Sequence, residues 1–219
     1  MNYYNFFALL VPVAMSLSAC GGGSDTPPEP VLNFPVGSVF RTLVTSDRVF
    51  NGTYTPPGGI SKTLQVTYTA KLVDQFQRKQ TVTSDGTPEV NDQGVISYTS
   101  TGNQIMVTSW DNDLGTFSAP IAGAWEALPA IASVGTSGTL AITRKNDSIG
   151  LFHSRNLTWK LSAVNESTAD FCLGYDYALD WGGGTRTDCF LIDAWGSIVG
   201  YRGILSFNIA HVSANEVYQ

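Results

Sequence analysis

Charge is scarce in this chain. Charged residues fill 14% of its 219 positions, with 12 Lys and Arg against 18 Asp and Glu for a formal net charge of −6. No basic run or stripe occurs, so the electrostatic footprint of a nucleic-acid binder is absent and nucleic acid is not an expected partner. Histidine is scarcer still: His153 and His211 are the only two, and each sits in or beside a strand-like pattern where an imidazole reads as packing or surface. The Gly-x-Ser-x-Gly elbow, the His-Glu-x-x-His helix and the phosphate-cradling Gly-x-x-x-x-Gly-Lys loop are all missing. Asp111-Asn112-Asp113-Leu114-Gly115 sets carboxylate and amide oxygens in a row, but the distal bidentate glutamate of a calcium loop does not follow. No metal, no cofactor and no catalytic residue are expected. Nor does any apolar run reach the roughly 20 residues of a permanent membrane helix; the stretch Phe6 to Met15 is short and interrupted by Pro12.

What that stretch leads into is the most informative feature present. Leu17-Ser18-Ala19-Cys20 follows it directly, with small residues before the cysteine and Gly21-Gly22-Gly23-Ser24 after it. These four residues resemble the lipobox of bacterial lipoproteins. The resemblance covers the N-terminal segment only and implies removal of residues 1–19 as a signal peptide, a diacylglycerol thioether on Cys20, and acylation of the freed amine. One departure is visible, since residues 1–19 contain no Lys or Arg and the usual basic n-region is reduced to the α-amine. The resemblance further implies anchoring by acyl chains, which hold stably when two or more are present. Gly21 stands where an aspartate would favour inner-membrane retention, so the outer membrane is the expected location. Residues 20–33, glycine-rich and then proline-rich, read as a lipidated tether, with folded structure expected from Phe34.

The remaining chain suffices for one substantial domain or two small ones. With Cys20 assigned to lipid, Cys172 and Cys189 are left as a pair, which in an oxidising compartment reads as a disulfide. If their hairpin pairs residues whose numbers sum to 361, Cys172 faces Cys189, Phe171 faces Phe190 and Ala169 faces Ile192, with the aromatics on one side and the sulfurs on the other. Opposed Cα atoms about 4.5–5.5 Å apart accept such a bridge. The sequons at Asn51, Asn146, Asn156 and Asn165 are incidental in a bacterial lipoprotein.

Period-two alternation dominates from residue 34 onward. Leu64, Val66, Tyr68, Ala70 and Leu72 alternate with polar residues, the pattern of a strand with one buried face. Less regular strands are predicted over Val39–Thr45, Phe76–Ser84, Val95–Thr99 and Gln104–Trp110, with Asp85-Gly86 and Asn91-Asp92-Gln93-Gly94 as turns. Later, Leu157 to Ala163, Ala169 to Tyr175, and Val199, Tyr201, Leu205, Phe207 and Ile209 each mark one face. Their connections, Asn165-Glu166-Ser167 and Asp193-Ala194-Trp195-Gly196-Ser197, are too short for parallel crossovers. The expected fold is therefore all-β, an antiparallel meander forming a barrel, half-barrel or two-sheet sandwich over residues 34–219. One short helix is predicted near 118–128, where Ser118 can cap and Ile121, Ala124, Trp125 and Leu128 share a stripe. Val36-Gly37-Ser38 and Asn91 to Tyr98 find weak echoes at Val134-Gly135-Thr136 and Asp193 to Tyr201, so two similar halves split near 117–133 compete with chance recurrence of turn chemistry.

The richest constellation is Tyr175-Asp176-Tyr177-Ala178-Leu179-Asp180-Trp181-Gly182-Gly183-Gly184, read as a loop between the cysteine strands. Aromatic faces beside carboxylates suit sugar rings, which makes Tyr175, Asp176, Tyr177, Asp180 and Trp181 candidate ligand-binding residues, with coverage of an open barrel end as the alternative. The leading function is a lipid-anchored envelope protein with a non-enzymatic interaction or structural role, its partners the membrane and an envelope protein or glycan. A carrier of lipid or glycan is one alternative; a glycan-processing hydrolase using paired carboxylates among Asp170, Asp176, Asp180 and Asp188 is another. A continuous apolar cavity favours the carrier, an open aromatic and acidic cleft glycan binding or hydrolysis, and a filled core with neither the interaction protein.

Overall fold

The computed structural model describes residues 31–219 apart from 57, 72–73, 102–103, 113–114, 119–125, 147–151, 180–181 and 210–211. Cys20, the segment expected to be a signal peptide and most of the expected tether lie outside the described residues. The fold is all-β and antiparallel. Six strands in chain order, β2 (Arg48–Tyr54), β3 (Lys62–Ala70), β4 (Gln75–Ser84), β5 (Thr87–Thr101), β6 (Gln104–Asn112) and β7 (Gly115–Ser118), form one sheet. A second contains β9 (Ser137–Asn146), β10 (Phe152–Ala163), β11 (Thr168–Leu179), β12 (Gly182–Asp193), β13 (Ile198–Ile209) and β14 (Val212–Tyr218), again in sequential order. A two-residue pair, β1 (Asn33–Phe34) with β8 (Ala132–Ser133), completes the strands. Of the three expected forms it is sandwich-like: neither large sheet closes into a barrel, although Thr53 and Gln219 exchange backbone hydrogen bonds of 3.2 and 3.5 Å across one edge.

Alternation decides what lies between the sheets. Leu64, Val66 and Tyr68 of β3 and Phe76, Arg78, Gln80 and Val82 of β4 are buried, opposite Leu173, Tyr175, Asp188, Phe190 and Leu205 from the second sheet. Outward positions of β3 and β4 carry Thr63, Gln65, Thr67, Gln77, Lys79, Thr81 and Thr83, so these strands offer no apolar band to lipid. No helix among the described residues is long and apolar enough to cross a membrane. The sheets approach closely at Gly203, where a Cβ would overlap the Leu64 side chain and reach Tyr201 Oη at 2.9 Å.

Several expectations need correction. Val39–Thr45 is helix, not strand: α1 (Val36–Thr45) buries Val36, Val39, Phe40, Leu43 and Val44, an i, i+3, i+4, i+7, i+8 stripe that outweighs the β-branched content of the shorter window. Burial of such side chains stabilises by about 1.5–3 kcal/mol each relative to exposure. The helix predicted near 118–128 falls mostly on 119–125, outside the described residues; at its ends Ser118 closes β7, and Glu126 is non-helical, its N–H bonded to Thr139 O at 2.7 Å. Paired structure begins ahead of the expected Phe34, because Asn33 pairs with Ser133 and Leu32 O accepts from Val134 N. Asn91-Asp92-Gln93-Gly94 is no turn but the middle of β5, its residues paired in register with Thr81, Gln80, Lys79 and Arg78. Asp85-Gly86, in contrast, does make its turn, with φ of 48° and 74°. Val199 leaves the core face because a bulge between Leu191 and Ile192 pairs Ile192 with Ile198 and Leu191 with Gly200, skipping it.

The cysteine hairpin follows the expected register. Cys172 pairs with Cys189, Phe171 with Phe190 and Ala169 with Ile192, and the disulfide is formed, with Cα atoms 3.9 Å apart. Phe171, Phe190, Ala169 and Ile192 are all fully buried.

Candidate functional site

Sheet alternation places one arginine and one aspartate at inward positions of opposite sheets. Arg78 comes from β4 and Asp188 from β12, and both are buried, at 2% and 1% exposure. Arg78 Nε donates to Asp188 Oδ2 at 2.8 Å and Nη2 to Oδ1 at 2.9 Å, the bidentate geometry that makes guanidinium–carboxylate pairs strong. Tyr68 Oη also donates to Oδ2 at 2.7 Å, and Tyr201 Oη to Oδ1 at 3.2 Å. Because Tyr68 gives its single proton to Asp188, the 2.6 Å contact between the Tyr68 and Tyr175 hydroxyls has Tyr175 as donor. Arg78 Nη2 reaches Gln80 Oε1 at 2.6 Å, and the guanidinium carbon lies 4.2 Å from the Tyr175 ring centre. Gly94, opposite Arg78 in register and buried, puts no side chain in the guanidinium's way.

Electrostatics follow from this packing. Burial opposes the Arg78 charge, but the Asp188 carboxylate and its hydrogen bonds prevail and hold the guanidinium pKa above its ordinary range. Burial, followed by Asp188, pushes the phenols of Tyr68 and Tyr201 well above the usual tyrosine range. Burial likewise raises Tyr175, with Arg78 opposing it. At neutral pH the guanidinium therefore stays charged and the phenols stay neutral. Each Asp188 oxygen accepts two hydrogen bonds, so the carboxylate presents no lone pair to a substrate and acts as a clamp between sheets rather than as a base.

Around the cluster the interior is packed with aromatic rings. Phe50 stacks on Tyr201 with centroids 5.0 Å apart and meets Phe190 edge-on at 5.0 Å. Tyr68 lies 5.9 Å from both Phe76 and Phe190, and Phe40 of α1 meets Phe76 edge-on at 5.8 Å.

The predicted ligand loop is divided. Tyr175, Asp176 and Tyr177 lie within β11 and Gly182-Gly183-Gly184 within β12, because the hairpin ladder runs on to Leu179 and Gly182. Alternation then separates Tyr175, buried in the polar cluster, from Asp176 on the outer face. Asp180 and Trp181 lie outside the described residues, as does the Tyr177 side chain. The carboxylate candidates are separated in the same way. Asp188 faces inward, whereas Asp170 faces outward and accepts Arg202 Nη2 at 2.6 Å. Asp170 and Asp176, six positions apart on one strand, are about 20 Å apart at 3.3–3.4 Å per residue, beyond the roughly 5–9.5 Å a glycosidase pair requires.

Across the sheet from the cluster, β10 to β13 form an outer groove of about 330 Å3 floored by the Cys172–Cys189 disulfide. Thr158, Lys160, Ser162, Thr187, Arg202 and Ile204 line it, a set suited to hydrogen-bonding a small polar group. Gly174 opens space that Thr158 enters, its Oγ1 3.4 Å from Gly174 O. Among the described residues no group of three or more His, Cys, Asp or Glu could hold a metal ion.

The sequence reading passed over Arg78 altogether. The signal was available, for Phe76, Arg78, Gln80 and Val82 share the inward parity of one strand, and a charge at a buried parity position requires an opposite charge facing it.

No protein-family model matches this chain, and no curated protein matches it. Among solved structures, the chain is similar to a porin-like protein from Bacteroides uniformis, with 7% identity over 78% of this chain and 93% of that one, at a TM-score of 0.22.

Proposed function

We propose that this chain is a lipoprotein of the bacterial envelope, held at the outer membrane by acyl chains on Cys20, whose folded part has an interaction or structural role and no catalytic one. The observation that carries the reading is the closed Cys172–Cys189 bridge. Of the three cysteines, it leaves Cys20 alone, and that cysteine stands in the lipobox-like Leu17-Ser18-Ala19-Cys20. The bridge also suits the oxidising compartment that such an export signal reaches. The non-catalytic role draws on the aromatic packing around the cluster and on the engagement of Asp188 by four donated hydrogen bonds.

Metabolic labelling with a fatty acid, followed by fractionation of cells expressing wild type or Cys20→Ser, tests the proposal. Wild type is expected in the membrane fraction and labelled; the variant is expected unlabelled and released. Undiminished labelling of Cys20→Ser, or an unmodified N-terminal peptide in the wild-type protein, overturns it.

A further inference from the structure

Five large apolar side chains stand exposed at one end of the second sheet: Val31 at 70%, Ile131 at 64%, Val164 at 51%, Trp195 at 85% and Val199 at 57%. Backbone hydrogen bonds bring them to that end. Leu32 O accepts from Val134 N, and Asn33 pairs with Ser133, so Val31 lies beside the segment that carries Ile131. That segment is tied to the end of β10, since Gly135 N donates to Leu161 O and Leu161 N to Thr136 O. The turn after β10 begins with Val164 and closes at Thr168, whose register partner is Asp193, where the Trp195 turn opens. Next to Trp195, Gly196 abuts the start of α1; a Cβ there would meet Pro35 Cγ at 2.9 Å and Ser38 Oγ at 3.1 Å.

Local structure maintains this exposure. The Asp193 carboxylate accepts from Trp195 N at 3.0 Å and Ser197 N at 2.8 Å, and Gly196 N donates to Asp193 O at 3.0 Å. The backbone beneath the indole is thus held while the ring itself is left to solvent. Val199 is carried off the core face by the bulge opposite Leu191 and Ile192. Without that bulge, two-residue periodicity would have turned it inward with Tyr201. Clustered exposed apolar side chains of this kind mark an interaction surface.

The same end is where the chain enters the fold. Eleven residues lead from Cys20 to Val31, and at 3.3–3.6 Å each they span at most about 40 Å. We propose that this end of the domain rests on the phospholipid surface that carries the anchor, with the Trp195 ring at headgroup level and Val31, Ile131, Val164 and Val199 around it. The inference rests on the lipid anchoring of Cys20 proposed above. An indole suits that position because it combines a large apolar body with one N–H donor, the character that enriches tryptophan at membrane interfaces. An anchor on Cys20 would keep the end at which the chain enters the fold within about 40 Å of a bilayer, which makes lipid the surface this face can meet.

The test uses the full acylated protein reconstituted into phosphatidylethanolamine and phosphatidylglycerol vesicles, with or without brominated acyl chains that quench nearby tryptophan emission. The chain has five tryptophans, and Trp195→Ser, at an exposed turn, isolates the contribution of one. Quenching of wild type by brominated lipid is expected, with the Trp195→Ser variant losing at least half of the quenched intensity. The mass of the N-terminal peptide is read on the same samples. An unmodified Cys20 overturns the anchoring and this orientation with it. An acylated Cys20 with no quenching, or with quenching equal in the variant, overturns the orientation alone.

Discussion

Arg78 and Asp188, 110 positions apart in the chain, form a bidentate ion pair that joins the two sheets through the middle of the core, at 2.8 and 2.9 Å. Isolated, either charge would be severely penalised at this depth. Together with Tyr68, Tyr175, Tyr201 and Gln80 they make a polar centre in an otherwise apolar described interior, and the sheets must meet in one register for all of its hydrogen bonds to form.

Removing one member is expected to be worse than removing both. Asp188→Asn leaves the guanidinium buried without its counter-charge and should lower unfolding free energy by about 3–5 kcal/mol, whereas joint replacement by apolar residues of similar size is often near neutral. Urea denaturation of Asp188→Asn, Arg78→Met and the Arg78→Met/Asp188→Leu double variant checks this. A double variant at least as unstable as the sum of the singles would show that the pair is not the unit that matters.

Alkali should unfold the domain through its buried phenols. The folded pKa values of Tyr68, Tyr175 and Tyr201 are raised by burial above the value near 10 of an unfolded tyrosine. Their contribution is therefore complete below about pH 10 and is lost as pH rises from there toward the folded values, where the unfolded chain has released protons that the folded one retains. These three should ionise only with unfolding. Tyrosinate absorbance recorded alongside circular dichroism across the alkaline range is the measurement, and ionisation of every tyrosine near pH 10 with the fold intact would refute the assignment.

The Cys172–Cys189 bridge closes a loop with a sequence separation of 17, for which restriction of the unfolded chain contributes on the order of 3 kcal/mol. A Cys172→Ala/Cys189→Ala double variant should show a correspondingly lower urea midpoint while keeping its strand content. Peptide mapping without reductant should recover the two cysteines linked; two free thiols in protein from an oxidising compartment would contradict the bridge.

Local physics was readable from the residues themselves. Period-two alternation exposed the strands of both sheets, Asp85-Gly86 marked a turn, and the 361 register of the cysteine hairpin followed from a single requirement, that Phe171, Phe190, Ala169 and Ile192 share a buried face. Each of these is settled by neighbours a few residues away or by the hairpin's own strand partner. The helix Val36–Thr45 was readable too, in its buried stripe, but a window opening at Val39 cut the stripe short and left Val and Thr to suggest a strand.

The polar centre was decided elsewhere. Alternation assigns Arg78 and Asp188 to inward faces but does not specify which strand of one sheet lies over which strand of the other. That choice depends on how two six-stranded surfaces stack, a many-body packing result spread over Leu64 against Gly203, Phe50 against Phe190 and Tyr201, and α1 against Phe76. The sequence by itself determined strands, turns, hairpin register and the cysteine pair, because those energies are local and periodic. Only the tertiary structure decided that Arg78 and Asp188 would meet, and that Tyr175 would be buried beside them, because burial of charge is settled by the facing sheet.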